Sequence, residues 1–268
     1  MRRCPSRADD DESVGRPVMS RIFGVRLDHL ASEARLRDLC LRSLDGDRAI
    51  RIFTPNPEIL LHARSDPTYA TVLRSADLAL PDGAGVAMIE SLRAGRRIRR
   101  WPGVEIGELL VRIAAERDSS VAFVGGGDGV AERAAERWRQ TLPGVRIAVA
   151  GGGVPISEDG VVDPAEQDPD LTRAVAASSP AIVLVGFGAP KQERWIARNA
   201  DTVPSARIVM GVGGSFDMWA DQLRRAPVAL RRLGLEWVWR LALEPQRLPR
   251  MIRATVVFPL RVLLDRAG

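Results

Sequence analysis

Lysine is almost absent from this 268-residue chain, since 38 of its 39 basic residues are arginine and only Lys191 is lysine. Cysteine is also scarce. Cys4 and Cys40 lack metal-ligand spacing and make no disulfide framework, which is compatible with a reducing cytosol. No apolar run approaches the roughly 18 residues that span a bilayer. Acidic residues 9–12 stand where a signal peptide has its apolar core. These absences predict that any contact with a membrane is made at its surface.

Two nucleotide-binding motifs are missing as well. The glycine-rich stretches Gly83–Met88, Gly125–Val130 and Gly211–Phe216 all lack the third small residue of the dinucleotide fingerprint, and there is no Walker A sequence. Asp168 and Asp170 match the short Asp-x-Asp pattern by which some glycosyltransferases hold a metal ion. Their acidic, proline-containing setting just before a helix favours capping instead. The sequence therefore argues against an NAD-dependent dehydrogenase and an ATPase, and it predicts no metal site and no cofactor.

Positive charge is concentrated near the end of the sequence. Residues 224–268 contain ten arginines and three acidic residues, a net charge of +7, whereas the whole chain carries +5. Trp237 and Trp239 lie within this segment beside leucine, valine and phenylalanine. Arginine interleaved with aromatic and aliphatic residues favours a membrane surface with phosphate-bearing lipids. A nucleic-acid-binding protein that uses these arginine-rich helices is the alternative.

The hydrophobic pattern predicts an α/β fold with a doubly wound, mostly parallel sheet and a C-terminal basic helical appendage. Residues 1–20 are predicted to be a disordered tail, with Met19 as an alternative start, residues 21–223 the core and residues 224–268 the appendage. Predicted strands are Arg21–Leu27, Ile50–Thr54, Leu78–Leu80, Val121–Val124, Val145–Val149, Ile182–Val185 and Arg207–Gly211. Predicted helices are His29–Arg42, Pro57–Arg64, Pro67–Arg74, Gly85–Leu92, Glu105–Glu116, Val130–Thr141, Leu171–Ala177, Lys191–Arg198, Ser215–Leu223, Pro227–Leu233, Leu235–Leu243 and Arg247–Leu264.

Polar residues follow two predicted strands, at the edge where open α/β sheets bind ligands. Thr54 and Asn56 flank Pro55 at the end of the second strand, where Asn56 either caps the next helix or contacts a ligand. Asp82 precedes a glycine turn after the third strand. It is either a helix cap or a general base exposed in the cleft.

Glycine-rich loops follow three further strands. Gly125 and Gly126 let phosphates or a ribose approach the backbone, and Gly213 permits either a close ligand approach or a tight turn. Lys191 and Gln192 stand at a helix start, where the single lysine suggests a need for a compact charge. Five such loops on one rim predict a pocket for a nucleotide or a sugar nucleotide.

These loops together resemble the WecG/TagA/CpsF family of bacterial glycosyltransferases. The matching stretches run in order over roughly residues 21–264, and six in register are specific. They are Thr54–Glu58, Pro81–Val86, Arg100 with Gly103, Gly186–Glu193, Gly211–Asp217, and the tail Gly234–Arg240 with Glu244–Arg250.

The resemblance implies an inverting, metal-independent enzyme on the cytoplasmic face of the plasma membrane. It would move an N-acetylmannosamine-type sugar from a UDP-sugar to a polyprenyl-diphosphate-linked N-acetylglucosamine, for cell-surface polysaccharide or a teichoic-acid-like polymer. Asp82 would be the general base. Substrate-binding roles would fall to Thr54, Asn56, Gln192 and Arg100, and to Arg240, Arg247 and Arg250 of the tail.

The sequence departs from the family pattern at two positions, and it leaves two properties of the protein open. Trp101 and Glu105 replace an aliphatic residue and an aspartate that the family pattern has near Arg100. The donor sugar stays open, and so does a homo-oligomer, which exposed apolar tail surface would favour.

Overall fold

A six-stranded, all-parallel sheet forms the centre of the computed structural model, which describes residues 18–162, 168–222, 226, 227, 230, 236–243 and 245–265. Its strands are short, mostly apolar runs, and the central ones are buried on both faces, as parallel strands covered by helices require. They are β3 (Ile50–Phe53), β4 (Leu78–Ala79), β5 (Ser120–Gly125), β6 (Arg146–Ala150), β7 (Ile182–Gly186) and β8 (Ile208–Gly211), in the order β4-β3-β8-β7-β5-β6. This confirms the predicted α/β fold class.

Helices cover both faces of the sheet because successive strand residues point to opposite sides. Phe53 and Val185 belong to one hydrophobic cluster, whereas their neighbours Ile52 and Leu184 belong to the other. Helices α2 (Pro57–Ser65), α3 (Pro67–Arg74), α4 (Ala84–Ala94), α7 (Asp168–Ala177) and α8 (Lys191–Asn199) pack into the first cluster. Helices α1 (Glu33–Leu44), α5 (Gly103–Glu116), α6 (Val130–Thr141) and α9 (Ser215–Trp219) pack into the second.

The predicted first strand, Arg21–Leu27, is wrong in the structure. The segment forms an antiparallel hairpin of β1 (Val18–Ile22) and β2 (Val25–His29), separate from the main sheet. Phe23 and Gly24 between them have φ values of 51° and 74°, the left-handed pair that makes a two-residue hairpin turn. Strand β1 begins inside the segment predicted to be disordered, and residues 1–17 lie outside the described part.

Two predicted helices differ from the structure by four residues at one end, more than the other described helices do. Helix α1 begins at Glu33 rather than His29, because the Ser32 hydroxyl accepts the backbone N–H of Arg35 at 3.2 Å and caps the helix there. His29 instead ends β2, where its Nε2 lies 2.8 Å from Oε2 of the buried Glu90. Helix α9 ends at Trp219, and Asp221 follows with a positive φ of 56°.

The C-terminal segment is helical where the structure describes it. Helix α10 (Glu236–Leu243) is followed by a 3-10 turn (Pro245–Arg247) and by a helical run from Leu248 to Leu264. That run consists of α11 (Leu248–Ile252), a π turn (Arg253–Val257) and α12 (Phe258–Leu264). The wider turn precedes Pro259, whose ring crowds the preceding turn and whose nitrogen carries no hydrogen. Most of the predicted helix Pro227–Leu233 lies outside the described residues.

The tail packs onto the core through buried aromatic and aliphatic side chains. Phe258 and Val262 of α12 are buried in the first hydrophobic cluster, and Phe258 meets Phe23 edge-on at a centroid distance of 6.1 Å. Within the segments that the structure describes, no helix is both long and apolar enough to cross a membrane.

Candidate active site

A cavity of about 530 Å³ opens at the carboxyl edge of the sheet, between the core and the helical tail. Its volume falls within the range of small-ligand pockets. The loops after the neighbouring strands β4, β3, β8 and β7 form its core wall. Residues on that wall include Thr54, Asn56, Glu58, Asp82, Arg100, Gln192, Gly213 and Ser215. The rest of the cavity lining comes from α4 and the tail and includes Ala84, Gly85, Met88, Arg250, Met251, Ala254, Thr255 and Pro259.

Asn56 both caps a helix and lines the cavity. Its Oδ1 accepts the backbone N–H of Ile59 at 3.0 Å and begins α2, as the capping interpretation predicted. The amide nitrogen has no hydrogen bond to any described residue, so it keeps two donors for a ligand. Thr54 stands beside it, and a Cβ built on Gly103 would come 3.1 Å from the Thr54 Oγ1. Because Gly103 has no side chain, the Thr54 hydroxyl fits against the start of α5.

Asp82 does not cap the helix that follows it. The cap position of α4 is Gly83, at φ 84°, and no side chain bonds the first turn. The Asp82 carboxylate accepts the adjacent Gly83 N–H at 2.6 Å, and its backbone N–H donates to the Pro55 carbonyl at 3.0 Å. That backbone bond joins the Asp82 turn to the Thr54–Asn56 loop. The carboxylate therefore lines the same cavity as those side chains.

Gln192 reaches the cavity from the start of α8. Its Oε1 accepts the Gly213 N–H at 2.8 Å, and its Nε2 donates to Glu193 Oε1 at 2.7 Å. The first contact fixes the orientation of the amide, since a backbone N–H can only donate and must therefore meet the amide oxygen. Gln192 thus ties the loop after β8 to α8.

Glu193 is a residue that sequence reasoning missed. Its carboxylate is fully buried and accepts the Tyr69 hydroxyl at 3.0 Å as well as the Gln192 amide. Burial raises the pKa of Glu193, and the two donors oppose that rise. Burial and the nearby carboxylate also raise the pKa of Tyr69. The only sequence signal was the glutamate beside Gln192 at a helix start, a position that is usually exposed.

Two predicted arginines line the cavity from different directions. Arg100 lies on the loop that leads into α5, and Arg250 lies on α11. Arg250 Nε is 3.6 Å from Glu58 Oε1, and both side chains are mostly exposed. Arg240 lies in α10 and Arg247 in the 3-10 turn, but their side chains are outside the described part.

Three other predicted site residues do not line the cavity. Lys191 is the first residue of α8 and is half-buried. Gly125 is the last residue of β5 and Gly126 follows it, on the far side of β7 from the cavity. A Cβ on Gly125 would lie 2.5 Å from the Phe187 ring, so this glycine makes room for an aromatic side chain.

The two Asp-x-Asp residues lie at the start of α7, where Asp170 pairs with Arg173 at 2.8 Å. No three His, Cys, Asp or Glu side chains of the described segments are grouped so as to hold a metal ion.

Comparisons with known proteins match nearly the whole chain. The model of the glycosyl transferase WecG/TagA/CpsF family matches residues 20–268. A Bacillus spizizenii protein named N-acetylglucosaminyldiphosphoundecaprenol N-acetyl-beta-D-mannosaminyltransferase is 35% identical over 209 residues, which cover 78% of this chain and 77% of the relative. Proteins of the same name from Bacillus subtilis and Staphylococcus aureus are 33% and 29% identical, each over 75% of this chain and 74% of the relative.

Proposed function

Because the chain belongs to the WecG/TagA/CpsF family of glycosyltransferases, we propose that it transfers an N-acetylmannosamine-type sugar from a UDP-sugar to undecaprenyl-diphosphate-linked N-acetylglucosamine. The names of its relatives support this donor and acceptor. The proposal rests on one observation: Asp82, Thr54 and Gln192 all line one cavity between the core and the tail.

Asp82 is the general base of the proposed reaction. Its carboxylate takes the proton of the acceptor hydroxyl as that oxygen attacks the anomeric carbon of the donor sugar. The bond from this carbon to the UDP oxygen breaks on the opposite side, so the configuration inverts. Thr54 and the Asn56 amide orient the sugars beside the base, and Gln192 holds the loop that faces the donor.

The leaving UDP carries the charge of a diphosphate, which the site must stabilise as the bond breaks. Arg100 and Arg250 supply guanidinium groups at the cavity wall, and such groups bind phosphate oxygens in a bidentate manner. Arg240 and Arg247 join them in the proposal as further tail arginines. In the proposed metal-independent transfer, these arginines stabilise the charge of the leaving diphosphate.

The tail is proposed to dock the enzyme on the inner face of the plasma membrane. Along the helical run from Leu248, exposed apolar residues recur about every four positions and form one stripe. The stripe consists of Leu248, Ile252, Val256, Leu260, Leu263 and Leu264.

The other face of α12 is buried against the core through Phe258 and Val262, and Arg253 and Arg261 are exposed beside the stripe. An apolar stripe bordered by arginine matches a helix that lies in a lipid interface. It favours a membrane over the nucleic-acid alternative, which requires no such stripe.

The proposed chemistry is tested by measuring UDP release from a panel of UDP-sugars with a short-chain polyprenyl-diphosphate-N-acetylglucosamine analogue. We expect release with UDP-N-acetylmannosamine and inversion at the anomeric carbon. Asp82→Asn should lower kcat by about 10²- to 10⁴-fold, the usual contribution of a general base. Asp128→Asn, in the exposed loop after β5, is the matched control and should turn over normally. An Asp82→Asn enzyme with full activity would remove the assignment of Asp82 as the base.

A further inference from the structure

Helix α4 of the core has an exposed apolar stripe of its own, which begins at the cavity. Ala84, Met88 and Leu92 recur every four residues and face solvent, while Val86 and Ile89 between them are buried. Met88 lines the cavity and is 55% exposed, and Leu92, one turn further on, is 76% exposed. Single exposed apolar residues are common, but a stripe that runs out of a ligand cavity indicates an interaction surface.

The loop that follows α4 brings positive charge next to this stripe. Arg93 donates to a backbone carbonyl of β1 at 3.1 Å, and Arg99 pairs with Glu33 at 3.3 Å, so these two arginines bond other parts of the fold. Arg96 and Arg97 are exposed and have no ion pair or hydrogen bond with any described residue. The favourable field at the end of α4 accounts for a cation there. It does not account for two unpaired guanidinium groups beside exposed methionine and leucine.

Helix α4 and the helical run of the tail both contribute residues to the wall of the cavity. Helix α12 packs against α4, and a Cβ on Gly85 would lie 3.6 Å from the Ala254 carbonyl oxygen and 4.0 Å from the Phe258 ring. Met88 on one side and Pro259 on the other both line the opening. The two helical segments that carry the exposed apolar stripes therefore border the same cavity.

We propose that α4 and the loop at residues 95–97 bind an anionic lipid surface, so that the core itself forms part of the membrane contact. Leu92 and Met88 enter the interface while Arg96 and Arg97 meet lipid phosphates. The inference rests on the proposed membrane attachment of the tail. It adds that the cavity opens between two lipid-binding elements, where a lipid-linked acceptor enters directly from the bilayer.

Vesicle binding by the full-length chain tests this surface. Vesicles of phosphatidylcholine with about 30 mol% phosphatidylglycerol are compared with phosphatidylcholine alone, because only the former attract arginine strongly. The double variant Arg96→Gln/Arg97→Gln should bind the anionic vesicles roughly 25-fold more weakly, about fivefold for each arginine. Its binding to the neutral vesicles should stay unchanged, whereas Leu92→Gln should weaken binding to both.

The matched control is Arg42→Gln/Arg173→Gln, which removes two exposed helix arginines from α1 and α7. It should bind the anionic vesicles within about twofold of the wild type. All variants should keep normal turnover on a short-chain, water-soluble acceptor, which confirms that they fold. Arg96 and Arg97 do not line the cavity, so this activity does not depend on them.

The possible results distinguish a failure of the core surface from a failure of the proposed membrane docking as a whole. If the wild-type chain binds vesicles and the Arg96→Gln/Arg97→Gln variant binds them equally well, the core surface is refuted and tail docking stands. If the wild type binds neither kind of vesicle, membrane docking as a whole is wrong. A variant with unchanged vesicle affinity and an altered mass in light scattering would instead assign the surface to contact between two copies of this chain.

Discussion

The carboxylate of Glu193 shows how one buried side chain controls a cavity that it does not line. It holds the Gln192 amide, and that amide holds the Gly213 N–H. The position of Asp82 at the cavity was predictable from the sequence because the residue follows a strand at the edge where open α/β sheets bind ligands, although the pattern alone left a helix cap and a general base as alternatives. Glu193 was not recognisable, because its burial depends on Tyr69, 124 positions earlier in the chain.

We expect Glu193→Ala to destabilise the protein strongly. It leaves the Gln192 Nε2 and the Tyr69 hydroxyl buried without an acceptor, at a cost of about 3 kcal/mol in the free energy of unfolding. Glu193→Gln should cost clearly less, because its oxygen still accepts from Gln192 and its nitrogen can donate to the Tyr69 oxygen. Urea unfolding measures both values. Equal losses in the two variants would show that the hydrogen bonds are not what the carboxylate contributes.

Among the elements, the junction of α2 and α3 depends on one aspartate. Asp66 ends α2 and caps α3, where its Oδ1 accepts the backbone N–H groups of Thr68 and Tyr69, each at 3.0 Å. Its other oxygen pairs with Arg194 of α8. The Thr68 hydroxyl bond, the Tyr69 backbone bond and the Arg194 charge lower the pKa of Asp66 from 3.8 to about 2.

The lowered pKa of Asp66 gives a pH dependence with a definite sign. Its charged form stabilises the fold fully above pH 3.8, and that contribution disappears as the pH falls towards 2. Near neutral pH, Asp66→Ala should lower the free energy of unfolding by about 1–2 kcal/mol, and Asp66→Asn by less, since asparagine still caps. Urea unfolding over a pH series should show the gap between wild type and Asp66→Asn closing below pH 3.8. A constant gap would contradict this account.

The strands of the main sheet were more predictable than the turn between β1 and β2, which form the separate hairpin. All six strands in the main sheet match predicted runs within one residue at each end, because a strand covered by helices needs a mostly apolar run. Strand β4 is shorter than predicted by one residue. The hairpin was missed because alternation continues through Phe23, and a phenylalanine at positive φ leaves no signal in sequence.

At the scale of the whole molecule, the tail has one face in the core and the other in solvent. The first face contributes to folding through Phe258, which is fully buried against the hairpin and α2. On the second face, Leu263 and Leu264 are 81% and 75% exposed, so these two side chains contribute little to packing within the described residues. Stability and membrane binding should therefore depend on different residues of the same helix.

A pair of substitutions in α12 separates these two roles. Phe258→Ala should lower the free energy of unfolding by about 3–5 kcal/mol, the usual cost of removing a buried phenylalanine. Leu263→Ser should change it by less than about 0.5 kcal/mol and yet weaken vesicle binding. Urea unfolding and vesicle co-sedimentation measure the two effects. If Leu263→Ser unfolds the protein, or leaves vesicle affinity unchanged, this division of the helix is incorrect.

The cavity has one wall from the core and another that includes the tail, which affects the design of inhibitors. On the core wall, hydrogen bonds already hold Gln192 and Gly213 in place. Binding of a compound there therefore costs little conformational entropy of the protein. The opposite wall comes from a separate helical run with a π turn between Met251 and Pro259. A compound that bridges both walls would therefore contact the core and the tail at once, and it should raise the melting temperature of the whole fold.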